Sequence, residues 1–500
     1  MSKITDIFYK NVQKSPNKPA IFCDGDKITY KELEILVNKW TNLMIKNGVR
    51  YGDNVGILLP NNILFVAFML VASKIGIAIT PLSPTLPSEA VDLAFKSSEV
   101  KHIIGIQSTL EGINLNKYKI KLSLYGNVKD CINFDDIINN YGDENNIDYK
   151  ITGNEALILT MTSGSTGQPK PIILTQNNKF DRAFSAIKLY GVTDKDIVLA
   201  ATPLYHSLAE RLVLIPLLLG GTSVLMPRFS PSTWLKTVKD LSVTFTIAVS
   251  SQLRQIAEVL KSPFLPEINS LRCIVSSSAL LESHTKKELI DKLNCDFHEC
   301  YGTSEIAIAT NLNIIGSKNK LKSVGCSIDG VDVKILKENK TFAKTGEAGE
   351  IVCRTPMIFG GYYKLPELTK NAMFGKYFCT GDIGKMDEEG FLYFLDRKKD
   401  LIISGGINIY PSDIEEVILK LDDIAEVAAF PYPDKNLGEV IAVACVLKNK
   451  DKFNLRNLKF HCAKYLADFQ QPRQYFIVDE LPKNNMGKLI KHKLVEMFEG

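Results

Sequence analysis

The chain has 500 residues, more than one hydrophobic core ordinarily organises, so at least two domains are expected. Lys+Arg 60 against Asp+Glu 56 is close to balance, which argues against nucleic acid or an acidic membrane surface as the main partner. Ten cysteines lie without a CxxC pair and six histidines form no ligand-like cluster, so reduced thiols in a cytoplasmic protein are expected, with no metal or disulfide role even for Cys295 and Cys300.

Met1 to Asp6 lacks the apolar core of a secretory signal. Ala20–Cys23 and Lys27–Tyr30 read as two strands around Asp24-Gly25-Asp26, and Tyr30 opens an amphipathic helix to about Asn47. Asn54–Pro60 reads as a buried strand. The apolar run from Ile63 to Ile79 is broken by Lys74 and Gly76; it is too short and mixed to span a bilayer and predicts a core helix. Ile77–Leu82 and His102–Gly105 continue an alternation of strand and helix, the pattern of a parallel α/β sheet. Residues 110 to 150 are rich in Asn and Asp and weakly patterned, hence peripheral.

Ala156–Leu159 predicts a buried strand that opens into Thr160-Met161-Thr162-Ser163-Gly164-Ser165-Thr166-Gly167-Gln168-Pro169-Lys170. Gly164 and Gly167 allow a tight turn of N–H groups toward one point. Hydroxyls and an ammonium aimed there suit a polyanion, most simply a nucleoside triphosphate. The segment is not the common P-loop, because Gly167 is followed by Gln168-Pro169-Lys170 instead of Lys and Ser/Thr. A flexible surface linker is the plain alternative; the apolar Pro171–Leu174 that follows argues against it. A helix near Asp181–Tyr190, a strand at Ile197–Ala201, the segment Pro203-Leu204-Tyr205-His206-Ser207 and a helix over 208–219 come next. Further strands are expected at Ser223–Met226, Phe245–Val249 and Cys273–Val275.

Near residue 320 the composition shifts to short strands, Val331–Leu336 and Gly349–Cys353 among them. The charged break Asp396-Arg397-Lys398-Lys399-Asp400 reads as the natural hinge before a small α+β domain, a merely solvated charge run being the alternative. That domain carries helices at Ser412–Leu421 and Asn454–Tyr465 and strands at Ile424–Pro431, Val440–Leu447 and Gln474–Val478.

Three further segments carry chemistry. Tyr301-Gly302-Thr303-Ser304-Glu305 presents an aromatic face for a base, a hydroxyl for phosphate and a carboxylate for Mg²⁺; a helix N-cap at Thr303 is the alternative. Tyr377-Phe378-Cys379-Thr380-Gly381-Asp382 ends a strand on an exposed carboxylate suited to ribose hydroxyls, the alternative being an ordinary turn Asp. In Pro482-Lys483-Asn484-Asn485-Met486-Gly487-Lys488-Leu489, Gly487 permits a turn presenting Lys488, a mobile cation for developing phosphate charge or simply a solvated lysine.

In order and spacing these motifs closely resemble those of the adenylate-forming superfamily, which includes acyl-CoA synthetases, luciferases and the adenylation domains of peptide synthetases. The likeness covers essentially the whole chain. It is strongest to bacterial acyl-CoA synthetases through Gly360-Gly361-Tyr362-Tyr363, Thr380–Gly384, Asp396–Ile403 and Ser404–Pro411. The resemblance implies an α/β fold: a large N-terminal domain (1–396) of α/β sheet subdomains plus a small β-rich subdomain. A small mobile α+β C-terminal lid (397–500) would follow, hinged near 396–400.

The resemblance also implies site roles. Thr162, Ser163, Gly164, Ser165, Thr166, Gly167 and Lys170 would surround the β,γ-phosphates of ATP; Tyr301 and Gly302 would hold adenine. Thr303 would reach phosphate, Glu305 Mg²⁺, Asp382 ribose, and Arg397 ribose and phosphate. Lys399 would be the pivot between two lid orientations, and Lys488 would touch the carboxylate and α-phosphate. His206, Ser278, Gly405 and Gly406 would line the acyl and thiol channel, an ordinary core histidine being the alternative for His206. The implied activity joins ATP, a small-molecule carboxylic acid and CoA. The alternative acceptor is phosphopantetheine on an acyl or peptidyl carrier protein, and a nucleotide-binding relative without chemistry is a third reading.

Three departures bear on the acid. Many relatives carry two glycines where this chain has Ser276-Ser277-Ser278-Ala279. Amino-acid-activating relatives usually carry Asp where His206 stands, which argues against an amino-acid substrate. Arg211, on a helix usually more apolar in fatty-acid enzymes, either faces the pocket and favours a second polar or anionic group or points to solvent or Glu210.

Overall fold

The computed structural model describes residues 3–145, 149–163, 169–262, 268–435, 437–449, 453–483 and 489–498. The fold is mixed α/β: a large N-terminal domain with three sheets precedes a small C-terminal domain built on a fourth. By compactness the chain divides into two units. One comprises 1–321, 327–332 and 354–376; the other comprises 322–326, 333–353 and 377–500, so the third sheet groups with the C-terminal residues.

The first unit contains two large sheets. In one of seven strands the spatial order is Ile132–Asn133, Lys121–Leu124, His102–Ile106, Asn54–Leu58, Ala78–Pro81, Ala156–Ser163 and Pro169–Thr175. All its neighbours are parallel except the last pair. The other sheet runs from Thr310–Asn313 through Asp296–Tyr301, Cys273–Ser277, Phe245–Val249, Ile197–Ala200, Thr222–Leu225 and Pro19–Cys23 to Asp26–Thr29. Its interior pairings are parallel, and burial on both faces explains why these strands are nearly continuous in apolar residues.

The expected core helix is Ile63–Ile75. Asn62 caps it by accepting from Phe65 N–H, and Gly76 ends it at φ 69°. Lys74, the residue that interrupts the apolar run, is itself buried. Its ammonium donates to Asn38 Oδ1 at 2.6 Å and lies 5.6 Å from the Tyr9 ring centre, while burial pulls its pKa down to about 8. Among the described residues no helix is long and apolar enough to cross a membrane.

In the second unit Gly349–Arg354, Tyr377–Met386 and Leu392–Arg397 form an antiparallel ribbon. The C-terminal sheet orders Ile407–Ile409, Ile402–Ser404, Gly438–Leu447 and Ile424–Asp434, with Gln474–Val478 parallel to Gly438–Leu447. Helices Pro411–Ile418 and Leu455–Tyr465 bury Ile414, Ile418, Leu458 and Cys462 with inward strand residues such as Ile441 and Val443. Alternate residues on Gly438–Leu447 serve another core, where Phe476 stacks on Phe498 at 3.9 Å.

Candidate active site

The described ends of the hydroxyl-rich segment belong to two antiparallel strands. Ala156–Ser163 pairs with Pro169–Thr175, Thr162 opposite Lys170 and Ser163 opposite Pro169. The strand continues past its apolar stretch because the partner backbone supplies its hydrogen bonds, and Thr162 Oγ1 adds one to the Lys170 carbonyl at 3.0 Å. Gly164, Ser165, Thr166 and Gly167 lie outside the described residues, as does the Ser163 side chain.

Residues 360–363 run antiparallel beside the second hairpin strand. Gly360 N–H donates to Ile173 C=O, Ile173 N–H to Gly361 C=O and Tyr363 N–H to Pro171 C=O, at 2.8, 2.9 and 2.8 Å. This sets Tyr362 in a bridge opposite Ile172. Its hydroxyl donates to Glu305 Oε1 at 3.3 Å, and burial followed by that carboxylate raises the phenol pKa. Tyr362 thus ties Glu305 to the hairpin, a link not read from the sequence.

Helix Gln176–Tyr190 follows the hairpin directly through a capping box between Thr175 and Asn178. From it Arg182 makes four hydrogen bonds to backbone carbonyls: Nη1 to Ser304 and Nη2 to Glu305, both 2.8 Å, with Nε and Nη2 to Met357 at 3.0 and 2.9 Å. Burial lowers its pKa to about 9, so the guanidinium stays charged at neutral pH. Sequence reasoning missed Arg182, because a charged residue on a helix reads as a solvated face.

Tyr301 ends strand Asp296–Tyr301, and the chain doubles back at once: Ala307 N–H donates to Thr303 C=O at 2.9 Å and Ala309 N–H to Tyr301 C=O at 2.8 Å. A Cβ at Gly302 would coincide with the Ala307 carbonyl oxygen, so only glycine fits. The expected alternative of a helix N-cap at Thr303 is corrected: residues 304–306 form a turn, Ala307 takes φ 62°, and a strand follows at Thr310–Asn313. Thr303 Oγ1 is buried without a partner among the described residues.

His206 immediately precedes helix Ser207–Leu219 and makes no side-chain cap. Its Nε2 is buried and unpartnered among the described residues, and burial lowers its pKa to about 4, keeping the ring neutral. Glu210 and Arg211 on this helix are both buried. Arg211 does not point to solvent, and Glu210 acts on it electrostatically but forms its ion pair with Lys179 at 2.6 Å. Burial pushes Lys179 down and Glu210 up, while their attraction opposes both shifts.

Ser278 follows strand Cys273–Ser277 at φ 76°, a left-handed backbone that suits glycine and strains serine. Ser278→Gly is therefore expected to raise stability by up to about 1 kcal/mol, and Ser278→Ala to give no gain. Thermal unfolding of the two variants checks this.

In the second unit Asp382 and Arg397 stand opposite each other across the ribbon, with Arg397 Nε 3.7 Å from Asp382 Oδ1. The expectation of an exposed carboxylate at a strand end is corrected. The strand continues to Met386, and Asp382 is only 5 % exposed beside an irregularity in pairing between Ile383 and Gly384. Glu350 accepts from Gly381 N–H at 3.1 Å and pairs with Lys398 at 2.9 Å, fixing the adjoining turn. Lys399 is exposed in the turn Lys398–Asp400. Gly405 and Gly406, at φ 56° and 82°, form the two-residue turn between Ile402–Ser404 and Ile407–Ile409. Lys488 lies outside the described residues. No group of three or more His, Cys, Asp or Glu among the described residues is arranged to hold a metal ion.

Residues 8–363 match the AMP-binding enzyme family and residues 413–488 the AMP-binding enzyme C-terminal domain, so the chain belongs to the AMP-binding enzyme family. It is an enzyme of the AMP-forming acid–CoA ligase type. The 2-succinylbenzoate–CoA ligase of Bacillus thuringiensis subsp. konkukian is 29% identical over 487 residues, covering 97% of this chain and 96% of that protein. A long-chain-fatty-acid–CoA ligase of Mycobacterium tuberculosis is 28% identical over 480 residues, 94% of this chain and 93% of its own. Among solved structures, o-succinylbenzoate CoA synthetase from Bacillus subtilis, in complex with ATP and magnesium ion, superposes with a TM-score of 0.87 at 27% identity, covering 98% of each chain. ATP-bound MatB from Rhodopseudomonas palustris gives 0.89 at 25% identity, covering 100% of this chain and 99% of that one.

Proposed function

We propose that this protein uses ATP to convert a carboxylic acid to an acyl-AMP with release of pyrophosphate, then passes the acyl group to the thiol of CoA. The observation that carries this reading is Tyr362. One residue pairs with the hydroxyl-rich hairpin through its backbone and with Glu305 through its phenol, so polyanion-binding and carboxylate elements are held together. The relatives named above, CoA ligases of 2-succinylbenzoate and long-chain fatty acids, support the acid–CoA assignment.

The donor set at the 301–305 turn fits Mg²⁺. Thr303 Oγ1 is buried without a partner and Glu305 supplies a carboxylate, both hard oxygen donors. Bound there, the ion would supply charge neutralisation for the phosphates. Lys170 and the hairpin hydroxyls hold the departing phosphates, Tyr301 lies against the base, and Thr303 reaches phosphate. Asp382 holds the ribose hydroxyls, assisted by Arg397. Lys488 stabilises the charge that develops as the acid's carboxylate attacks the α-phosphorus. Residues 397–500 then swing about Lys399, Lys488 withdraws, and Gly405-Gly406 borders the channel for the thiol that displaces AMP. His206, neutral and with a free ring nitrogen, lines the acyl end of that channel.

Pyrophosphate release across aliphatic, aromatic and dicarboxylic acids, with CoA or a phosphopantetheine-bearing carrier protein as acceptor, tests the reading. Acid-dependent release and thioester formation with CoA are expected. Release with no acid would overturn the reading, and thioester only on the carrier protein would replace the acceptor.

A further inference from the structure

Arg211 is a buried cation without an ion-pair partner among the described residues. It is 7 % exposed, and its Nε is enclosed without a partner. Its neighbours do not share this condition. Arg182 spends its donors on the carbonyls of Ser304, Glu305 and Met357, and Lys179 is neutralised by Glu210. The adjacent Glu210 turns its bonded oxygen to Lys179, so the two buried acid–base residues of this helix do not satisfy each other. A guanidinium taken out of water without a bonded anion costs several kcal/mol, and Glu210, the carboxylate that acts on it electrostatically, is bonded to Lys179.

The position of Arg211 says which ligand would supply that anion. It lies on helix Ser207–Leu219, about one and a half turns beyond His206, and interacts electrostatically with the Cys300 thiol, the Tyr190 phenol and, more weakly, Glu210. Cys300 precedes Tyr301 in the chain and bonds through its side chain to Ser277, which precedes Ser278. Through Cys300, Arg211 neighbours the strand end that leads into the 301–305 turn and the strand end that leads into Ser278. An acid whose carboxylate reacts at those strand ends would direct its remaining atoms inward.

We propose that Arg211 selects the substrate by pairing with a second anionic group, so that the acid activated here is a dicarboxylate. This rests on the reading that the site adenylates a carboxylic acid. A site built to pair a buried charge rejects an analogue lacking it more strongly than an apolar pocket rejects an extra methylene.

The test compares the intact protein with Arg211→Met and Arg211→Lys. Acid-dependent pyrophosphate release is measured for dicarboxylates of graded length and for monocarboxylates of equal carbon number. The expected result is a preference for dicarboxylates that falls about 100-fold or more in Arg211→Met and is partly restored in Arg211→Lys. Thermal unfolding without ligand is expected to show Arg211→Met more stable than the intact protein, since an unpaired buried charge has been removed. A preference unchanged in Arg211→Met overturns the proposal, as does an equal loss for mono- and dicarboxylates, which would assign Arg211 to the reacting carboxylate. An unfolded Arg211→Met also overturns it, because the guanidinium would then have a structural partner. If no acid supports pyrophosphate release in the intact protein, it is the adenylation reading that fails, and the outcome is distinct.

Discussion

Gly302→Ala is expected to abolish useful adenylation, with a loss of at least about 100-fold and a destabilisation of about 3 kcal/mol. The reason is close approach. The added carbon would coincide with the Ala307 carbonyl oxygen and stand 2.8 Å from its carbon and 3.3 Å from Ala309 N. These are backbone atoms, held by the Ala307–Thr303 and Ala309–Tyr301 hydrogen bonds, so nothing can rotate away. Relief requires opening the turn that carries Thr303 and Glu305. Gly316→Ala is the control, since its nearest neighbours are Asn313 side-chain atoms at 3.5 Å and no φ constraint applies. Calorimetric unfolding and pyrophosphate release on both variants check the prediction, and a Gly302→Ala protein with normal activity would refute it.

Lys488→Ala is expected to slow acyl-AMP formation about 10²- to 10³-fold, the scale of losing one preorganised charge donor. Conversion of supplied acyl-AMP to the thioester should proceed at the unmodified rate, because in the proposed cycle the lysine has left by then. Single-turnover measurement of the two half-reactions separates these steps. Equal loss in both would remove the two-orientation scheme while leaving the adenylation chemistry standing.

The elements that periodicity announces are the ones found: Phe245–Val249 and Gln474–Val478 have the expected bounds, and Tyr30–Lys46 and Leu455–Tyr465 differ by one residue at one end. Local turn chemistry was legible as well, in Gly302. What could not be read is what tertiary burial decides. Asp382 looked exposed because an Asp after a Gly usually is; pairing with Leu392–Arg397 carries the strand past it instead. Ala307 is a helix former, but the bond from Ala309 to Tyr301 holds it at φ 62°, and the turn wins over the propensity. Nothing in the local sequence marks Lys179, Arg182 and Glu210 as buried. Their partners lie far along the chain, and one sequence carries no signal for such pairs.

The Lys179–Glu210 pair has a consequence for anyone redesigning this enzyme. On the proposed reading, the segment that runs from His206 through Glu210 and Arg211 is the one to exchange for a new acid specificity. It is bolted, though, to a lysine outside that segment, on the helix that also carries Arg182. A transplanted helix without an acid at 210 strands Lys179 as a buried charge, a cost of about 3–5 kcal/mol unrelated to substrate fit. Libraries drawn over 205–219 alone would therefore discard good pockets for poor folding. Varying position 179 together with 210 lets selectivity change without that penalty.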